Sequence, residues 1–245
     1  MATEFKNSDT IKVAKGRALM IAHRGVSGLE RENTIAAFVA AGNRSYYGIE
    51  TDVHVTADGK FILYHDDGLN RLLGLDKQIA DCTYEYLRSL RLTDLNGENR
   101  EDLCLPSLEE YLRVCRKYQK QAILELKNEM TKENVWKIVE IVKKEEWYAR
   151  TTFISFYKQN LLALRERYSD ADAQFLTSLC TQEDIEYMIK NKIDADLDGR
   201  CVTPEKVKAL REGGRKINVW TLNEPAHMEL VHAFDLDFVT TNILE

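Results

Sequence analysis

The chain has 245 residues and a net charge of −6; 44% of its residues are hydrophobic and 30% are charged. This length allows one large or two small domains with a core that needs neither disulfides nor a structural metal. The ordinary composition excludes disorder, and a mildly acidic chain without a basic block is not expected to bind nucleic acid. No stretch approaches the roughly 20 apolar residues of a membrane span, so stable membrane insertion is not expected.

The N-terminal segment and the cysteines indicate in which cellular compartment the protein is expected. Charges at Lys6, Asp9 and Lys12 interrupt the first segment, which has no apolar h-region, so no secretory signal is expected. Five widely spaced cysteines form no C-x-x-C motif: Cys82, Cys104, Cys115, Cys180 and Cys201. We expect reduced, mostly buried thiols in a cytoplasmic protein, and the sequence assigns no oligomeric state.

Short apolar runs alternate with helical patterns in the first half of the chain. Strands are predicted at residues 18–22, 48–55 and 60–65, and a helix at residues 33–42. A capping box formed by Ser107 and Glu110 predicts the start of a further helix.

The second half alternates more regularly. Strands are predicted at residues 122–126, 152–155, 173–176, 194–197, 217–222 and 238–241. The helices between them are predicted at residues 131–143, 159–168, 182–190, 204–211 and 225–233. This alternation implies parallel βαβ units, and eight units in 245 residues match a (β/α)8 TIM barrel. A doubly wound sheet is the alternative, but His23-Arg24-Gly25 stands where its glycine-rich phosphate fingerprint would follow the first strand.

Residues 67–105 do not fit the alternation. They are mostly polar and carry only one short helical pattern, near residues 84–90. We interpret this segment as a small insertion above the barrel, after the second strand and its hairpin, so that residues 1–245 form a single domain.

Polar residues mark the C-terminal ends of the predicted strands, where TIM barrels carry their chemistry. They are His23, Arg24, Glu50, Asp52, Glu125, Lys127, Ser155, Trp220, Asn223 and residues 240–242. Because strand side chains alternate between faces, Glu50 and Asp52 share one face, as do Glu125 and Lys127. Charged residues at such positions of a barrel strand must point into the barrel mouth or be paired. Trp220 is interpreted either as core or as the lining of a substrate cleft.

The dipeptide Asp58-Gly59 predicts a two-residue hairpin turn. Counting outward from that turn places Asp52 opposite His65, with Cβ atoms about 5 Å apart. We therefore predict that the hairpin returns His65 to the level of Asp52.

Three carboxylates facing one cavity cannot all stay ionised without a counter-charge. These are Glu50, Asp52 and Glu125; Arg24 and Lys127 offset part of their charge, and a divalent cation would offset the rest. Oxygen ligands favour Mg²⁺ or Ca²⁺ over zinc. A plain salt bridge between Glu125 and Lys127 is the alternative interpretation of that pair.

Two histidines, His23 and His65, lie at strand ends beside carboxylates and can serve as general base and acid near neutral pH. Arg24 and Lys127 suit an anionic group. The combination predicts hydrolysis of a small-molecule phosphodiester. The remaining histidines are interpreted as structural: His54, His227 and His232.

An ordered set of motifs spans residues 20–242. They are His23-Arg24-Gly25, Glu32-Asn33-Thr34, Glu50-Thr51-Asp52-Val53, Asp58-Gly59, His65-Asp66, Pro106-Ser107-Leu108-Glu109-Glu110, Glu125-Leu126-Lys127, Ser155-Phe156 and Trp220-Thr221-Leu222-Asn223. Together they resemble the glycerophosphodiester phosphodiesterase family.

The resemblance implies a TIM barrel and roles for seven residues. The implied metal ligands are Glu50, Asp52 and Glu125, the acid–base pair is His23 and His65, and the phosphate contacts are Arg24 and Lys127. The implied reaction hydrolyses glycerophosphodiesters to glycerol 3-phosphate and an alcohol, with attack by water or first by the glycerol 2-hydroxyl. The alternatives are a lysophospholipase D acting on lipid diesters and a non-catalytic anion-binding barrel.

Three segments depart from the family pattern. Arg31 replaces a proline before Glu-Asn-Thr, and Arg71-Leu72-Leu73 replaces Arg-Thr-Thr. Residues 241–244 replace Thr-Asp-x-Pro with Thr-Asn-Ile-Leu, so Asn242 stands in the place of an aspartate.

Overall fold

The computed structural model describes residues 8–245. Residues 1–7, which include Lys6 and the start of the predicted domain, lie outside the described residues. The described strands are β1 Leu19–Ala22, β2 Gly48–Val55, β3 Phe61–Leu63, β4 Gln121–Leu126, β5 Thr151–Ser155, β6 Asp172–Thr177, β7 Asp194–Asp198, β8 Ile217–Trp220 and β9 Phe238–Thr241.

Eight of these strands close into a parallel ring. Strand β1 pairs with β2 on one side and with β9 on the other, and β2 pairs with β4. Strand β3 lies outside the ring, antiparallel to β2. The predicted TIM barrel is therefore confirmed, and the open doubly wound sheet is excluded because the sheet closes on itself.

Helices between the strands cover the outside of the barrel, except for two short helices within residues 67–105. The described helices are α1 Ile35–Gly42, α2 Asn70–Leu73, α3 Tyr84–Ser89, α4 Leu108–Tyr118, α5 Lys132–Lys144, α6 Lys158–Arg167, α7 Gln182–Asn191, α8 Pro204–Glu212 and α9 Met228–Phe234. The predicted capping box is confirmed, because Ser107 and Glu110 exchange backbone-to-side-chain hydrogen bonds. In the described part of the chain, no helix is long and apolar enough to cross a membrane.

Strand parity divides the core into two layers. Ile49, Val53, Leu124 and Leu126 are fully buried against the helices. A smaller apolar cluster fills the barrel interior and contains Ile21, Ile123, Ile154 and Leu176. Each fully buried side chain of this size contributes about 1.5–3 kcal/mol to folding. The predicted direction of the β2 and β4 side chains is confirmed, and their charged residues therefore point inward.

The segment 67–105 has a packed interior of its own. Its helices α2 and α3 enclose a second apolar cluster with β3, which includes Ile62, Tyr64 and Leu87. Arg31 ties this segment to the barrel by donating a 2.6 Å hydrogen bond from Nε to the carbonyl of Thr93. The insertion is therefore more apolar inside than its composition indicates.

The predicted register of the β2–β3 hairpin is wrong by one residue. Val53 pairs with Leu63, and the amide of Tyr64 donates to the carbonyl of Asp52. Asp52 is therefore opposite Tyr64, and His65 follows the strand.

A three-residue loop causes this shift. The amides of Thr56 and Gly59 donate to the carbonyls of Lys60 and Thr56, respectively, both at 2.9 Å. Gly59 has a φ of +69°, a left-handed conformation that glycine adopts without steric cost. A turn followed by a left-handed glycine is the usual three-residue hairpin, so the Asp58-Gly59 signal identified the turn but not its length.

Candidate active site

A cavity of about 160 Å³ opens at the C-terminal ends of the barrel strands. Its lining consists of His23, Arg24, Glu50, His65, Glu125, Ile154, Phe156, Leu176, Asp196, Trp220, Thr221 and Thr240. Six predicted site residues are in this lining, and the other two, Asp52 and Lys127, contact them from the side. The eight predicted residues therefore converge on one place.

Glu50, Asp52 and Glu125 form a buried acidic cluster. One oxygen from each carboxylate lies within 4.8 Å of the others. Asp52 and Glu125 are register partners on the adjacent parallel strands β2 and β4. Glu50 joins them because it is two residues before Asp52 and therefore on the same face.

The pKa shifts in this cluster indicate that the nearby cations do not fully balance the charge of the three carboxylates. Burial and repulsion from Asp52 and Glu125 raise the pKa of Glu50 well above its ordinary range. Burial and the charge of Asp52 raise the pKa of Glu125 to about 8, against the opposing effect of Lys127. Burial acts in the same direction on Asp52, but Lys127 and Arg24 outweigh it and hold that pKa below its ordinary range.

The acidic cluster fits a divalent cation. Oδ1 of Asp52 is buried and accepts no hydrogen bond from any described residue. An ion there would provide the missing charge, and an all-oxygen set is the donor chemistry of hard cations. Glu50, Asp52 and Glu125 could therefore hold a metal ion.

Two cations flank the cluster. Lys127 Nζ is 3.0 Å from Glu125 Oε1 and 3.6 Å from Asp52 Oδ1. Arg24 Nε is 3.6 Å from Asp52 Oδ2, and the backbone amide of Arg24 donates to Glu50 Oε2 at 2.8 Å. The Glu125–Lys127 salt bridge exists, but it is part of this larger arrangement.

His23 is oriented by an amide. Its Nδ1 lies 2.7 Å from Oδ1 of Asn242, the residue that replaces an aspartate of the family pattern. Because an amide oxygen accepts, Nδ1 carries the proton and Nε2 keeps its lone pair. Burial and the neighbouring Arg24 charge lower the pKa of His23 to about 4.

His65 is oriented by a carboxylate. Its Nδ1 lies 2.6 Å from Oδ1 of Asp66. Arg71 donates to the other Asp66 oxygen at 2.6 Å and also binds Glu32, which in turn binds Arg24. Burial lowers the pKa of His65, and the charges of Asp52 and Asp66 oppose that effect.

The opposite side of the cavity is mainly apolar. Ile154 and Leu176 line it with the rings of Phe156 and Trp220, which meet edge to face at a centroid distance of 5.7 Å. Trp220 lines the cavity and also packs against the interior cluster, so both interpretations of this residue hold in part.

Sequence reasoning did not assign roles to Asn33, Asp66, Asn242 or Asp196. Asn33 donates to Asp52 Oδ2 at 2.7 Å. Asp196 is buried in the cavity wall, and burial raises its pKa well above its ordinary range. Strand parity could have identified Asp196, because acidic and apolar residues alternate along β7.

A closed barrel with an acidic cluster between two histidines has the parts of a metal-assisted hydrolase. A model of the glycerophosphoryl diester phosphodiesterase family matches residues 23–245, and the chain belongs to that family. The predicted family is therefore confirmed, and with it the class of enzyme, a phosphoric diester hydrolase.

Individual relatives agree with this assignment. A glycerophosphodiester phosphodiesterase of Bacillus altitudinis is 28% identical over 232 residues, which cover 91% of this chain and 94% of that protein. The crystal structure of a glycerophosphodiester phosphodiesterase from Parabacteroides distasonis is 29% identical, with a TM-score of 0.76 and 94% of each chain covered. A phosphodiesterase of Oleispira antarctica, whose structure was solved in complex with the product sn-glycerol-3-phosphate, shares the fold with a TM-score of 0.83. The two sequences are 23% identical, and the match covers 94% of this chain and 95% of that one.

Proposed function

We propose that this protein hydrolyses glycerophosphodiesters to glycerol 3-phosphate and an alcohol, with the help of Mg²⁺ or Ca²⁺. The observation that carries the proposal is the meeting of two imidazoles with three buried carboxylates around one cavity. Family membership supports the same reaction. Binding alone does not require an acid and a base in matched positions.

Glu50, Asp52 and Glu125 would hold the ion. When bound, it would supply positive charge that polarises the phosphoryl group and stabilises the charge of the transition state. Arg24 and Lys127 would contact the remaining phosphoryl oxygens, since Arg24 lines the cavity and Lys127 lies beside it, 3.0 Å from the lining residue Glu125.

The two histidines have different orienting partners, which suggests different roles. His23 faces a neutral amide and the positive charge of Arg24, so its Nε2 would accept the proton of the attacking hydroxyl. His65 has the Asp66 carboxylate on Nδ1, which favours the protonated ring, so its Nε2 would donate a proton to the departing alcohol. A P–O bond forms to the attacking oxygen, and the P–O bond to the alcohol breaks. If the attacking oxygen is that of water, this step gives glycerol 3-phosphate directly. If it is the glycerol 2-hydroxyl, water must then attack the cyclic phosphate and break its P–O bond to the 2-oxygen.

The test is the release of glycerol 3-phosphate from glycerophosphocholine and related soluble diesters, with added Mg²⁺ or Ca²⁺ and with a chelator. We expect release that depends on the ion and stops with the chelator. No release from any diester, or release that the chelator does not diminish, would contradict the proposal.

A lysophospholipase D activity is the second candidate. It is favoured by a groove of about 470 Å³ that shares Trp220 and Thr221 with the cavity and exposes mainly apolar atoms, including those of Leu222 and Leu230. Rates on soluble and on acylated diesters with the same headgroup separate the two. Faster turnover of the acylated diesters would favour this candidate.

We further propose a single domain that acts on small molecules in the cytoplasm. The net charge of −6 and the five free cysteines support that setting.

A further inference from the structure

Asp196 is a buried acidic residue that neither the acidic cluster nor the histidines use. Its exposed fraction is 1%, it lies on β7, and it lines the cavity. Its Oδ1 is buried and has no hydrogen-bond partner in the part of the chain that the structure describes. Buried oxygens of this kind are rare in proteins because leaving them unpaired costs stability.

The side chains around Asp196 do not provide the missing partner. Asn218, its register partner on β8, interacts with the Asp196 carboxyl group and opposes the rise of its pKa, but it is also hydrogen-bonded to the Thr240 hydroxyl at 2.9 Å and makes no hydrogen bond to Oδ1. Leu176, its register partner on β6, is apolar. The indole of Trp220 donates to the backbone carbonyl of Asp196 and leaves the carboxyl group unused. A ligand in the cavity is therefore the natural partner of Oδ1.

The position of Asp196 indicates which part of a ligand it meets. The cations and histidines that suit a phosphoryl group follow the ends of β1, β3 and β4. Asp196 lies across the cavity, among Ile154, Leu176 and Trp220. The organic part of a bound phosphodiester would therefore face Asp196, and a hydroxyl there can donate to Oδ1 whether the carboxyl group is ionised or neutral.

We propose that Asp196 binds the terminal hydroxyl of the glycerol moiety and makes the site select glycerol diesters over diesters that lack this hydroxyl. The 2-hydroxyl is one carbon closer to the phosphoryl group, on the charged side. This inference rests on the proposed function and adds a residue that determines its specificity.

The experiment compares glycerophosphocholine with 2-hydroxypropyl phosphocholine, which differs by the terminal hydroxyl alone. We expect the wild-type protein to prefer the glycerol diester by about tenfold or more in kcat/KM, because a site built for a hydroxyl rejects an analogue without it. Asp196→Leu should remove that preference through slower hydrolysis of the glycerol diester, with the rate on the other diester nearly unchanged. Asp196→Asn keeps an acceptor oxygen and should keep most of the preference.

Stability separates recognition from a structural role. Asp196→Leu removes an unpaired buried polar group, so its melting temperature should be equal to or above that of the wild type. Equal loss of both activities in Asp196→Leu, or an unchanged preference, would overturn the inference.

Calorimetry on the wild-type protein provides a test that needs no variant. Glycerol 3-phosphate should bind about tenfold or more tightly than 1,2-propanediol 1-phosphate. Equal binding would overturn the role of Asp196. Absence of any hydrolysis by the wild type would instead contradict the proposed function, and the binding comparison would still test Asp196.

Discussion

The two halves of the barrel rim are built differently. On one half, carboxylates and cations lie within 4 Å of one another around Asp52. On the other half, Ile154, Leu176, Phe156 and Trp220 form an apolar wall with Asp196 as an isolated acid. The charged half has residues that can act on a phosphoryl group, whereas the apolar half has residues that can hold an organic group. Substitutions on the charged half should therefore affect one another, and those on the apolar half should act more independently.

Removal of a metal-ligand charge should produce the largest loss. We expect Glu50→Gln to reduce activity to background and to weaken the binding of Mg²⁺ or Ca²⁺ in calorimetric titrations, because the cluster loses charge and a ligand. Glu212→Gln, at the exposed end of α8, is the matched control and should behave as the wild type. Unchanged ion binding in Glu50→Gln would mean that the acidic cluster was misassigned.

Removal of either imidazole should produce the next largest loss. His23→Ala and His65→Ala should each lower kcat by about 10²-fold or more, because a positioned acid or base contributes that much. The double variant should be little worse than the weaker single variant, since the two act in one step. His232→Ala, on the exposed side of α9, should retain full activity. Full turnover in His65→Ala would contradict the role of His65 as the acid, whereas unchanged ligand affinity in His65→Ala together with no turnover by the wild type would favour a binding protein.

Substitution of Arg71 should have an intermediate effect. Arg71 holds both Asp66, which orients His65, and Glu32, which contacts Arg24. We expect Arg71→Gln to lower kcat about tenfold through the loss of its charge-assisted hydrogen bonds to Asp66 and Glu32. The Asp66 charge would then be less compensated, so the pKa of His65 should rise and the pH profile should move upward. A lower kcat with an unmoved profile would indicate a merely structural role.

On the apolar half, we expect a smaller and different change. Trp220→Leu should raise KM a few-fold and leave kcat nearly constant, because it removes buried contact area and no charge. A loss confined to kcat would contradict the division between the two halves.

The smallest expected effect is on stability. Because the pKa of Glu125 is raised from 4.5 to about 8 in the folded protein, its contribution is present below pH 4.5 and is lost as the pH rises through 8. In the absence of metal, Glu125→Gln should therefore gain melting temperature relative to the wild type as the pH rises from about 4.5 to 8, and the gain should level off above that. A difference between the two that stays constant over that range would contradict this assignment.

Sequence reasoning succeeded where the two-residue alternation of strand side chains alone determines the geometry. In the parallel strands, side chains alternate strictly, so the inward direction of Glu50, Asp52 and Glu125 could be predicted from position alone. The predicted register of the hairpin was wrong because register depends on loop length, and the loop that contains the left-handed Gly59 is one residue longer than predicted. His65 still lies in the cavity, because it follows the end of β3 and its direction does not depend on strand parity.

Partners that are distant in the sequence could not be predicted in this way. The contact between His23 and Asn242 joins residues 219 positions apart and becomes visible only when β9 closes the barrel against β1. That Asp196 Oδ1 has no hydrogen-bond partner among the described residues depends on how neighbouring side chains such as Asn218 and Thr240 are oriented, which no pattern in the sequence specifies.

The most direct test of the central claim is a crystal structure of the protein soaked in Mn²⁺, with anomalous scattering used to locate the ion. The account predicts one strong peak at a coordination distance of about 2.0–2.6 Å from oxygens of Glu50, Asp52 and Glu125, with His23 and His65 facing the same cavity. A peak elsewhere, or no peak at this cluster, would contradict it.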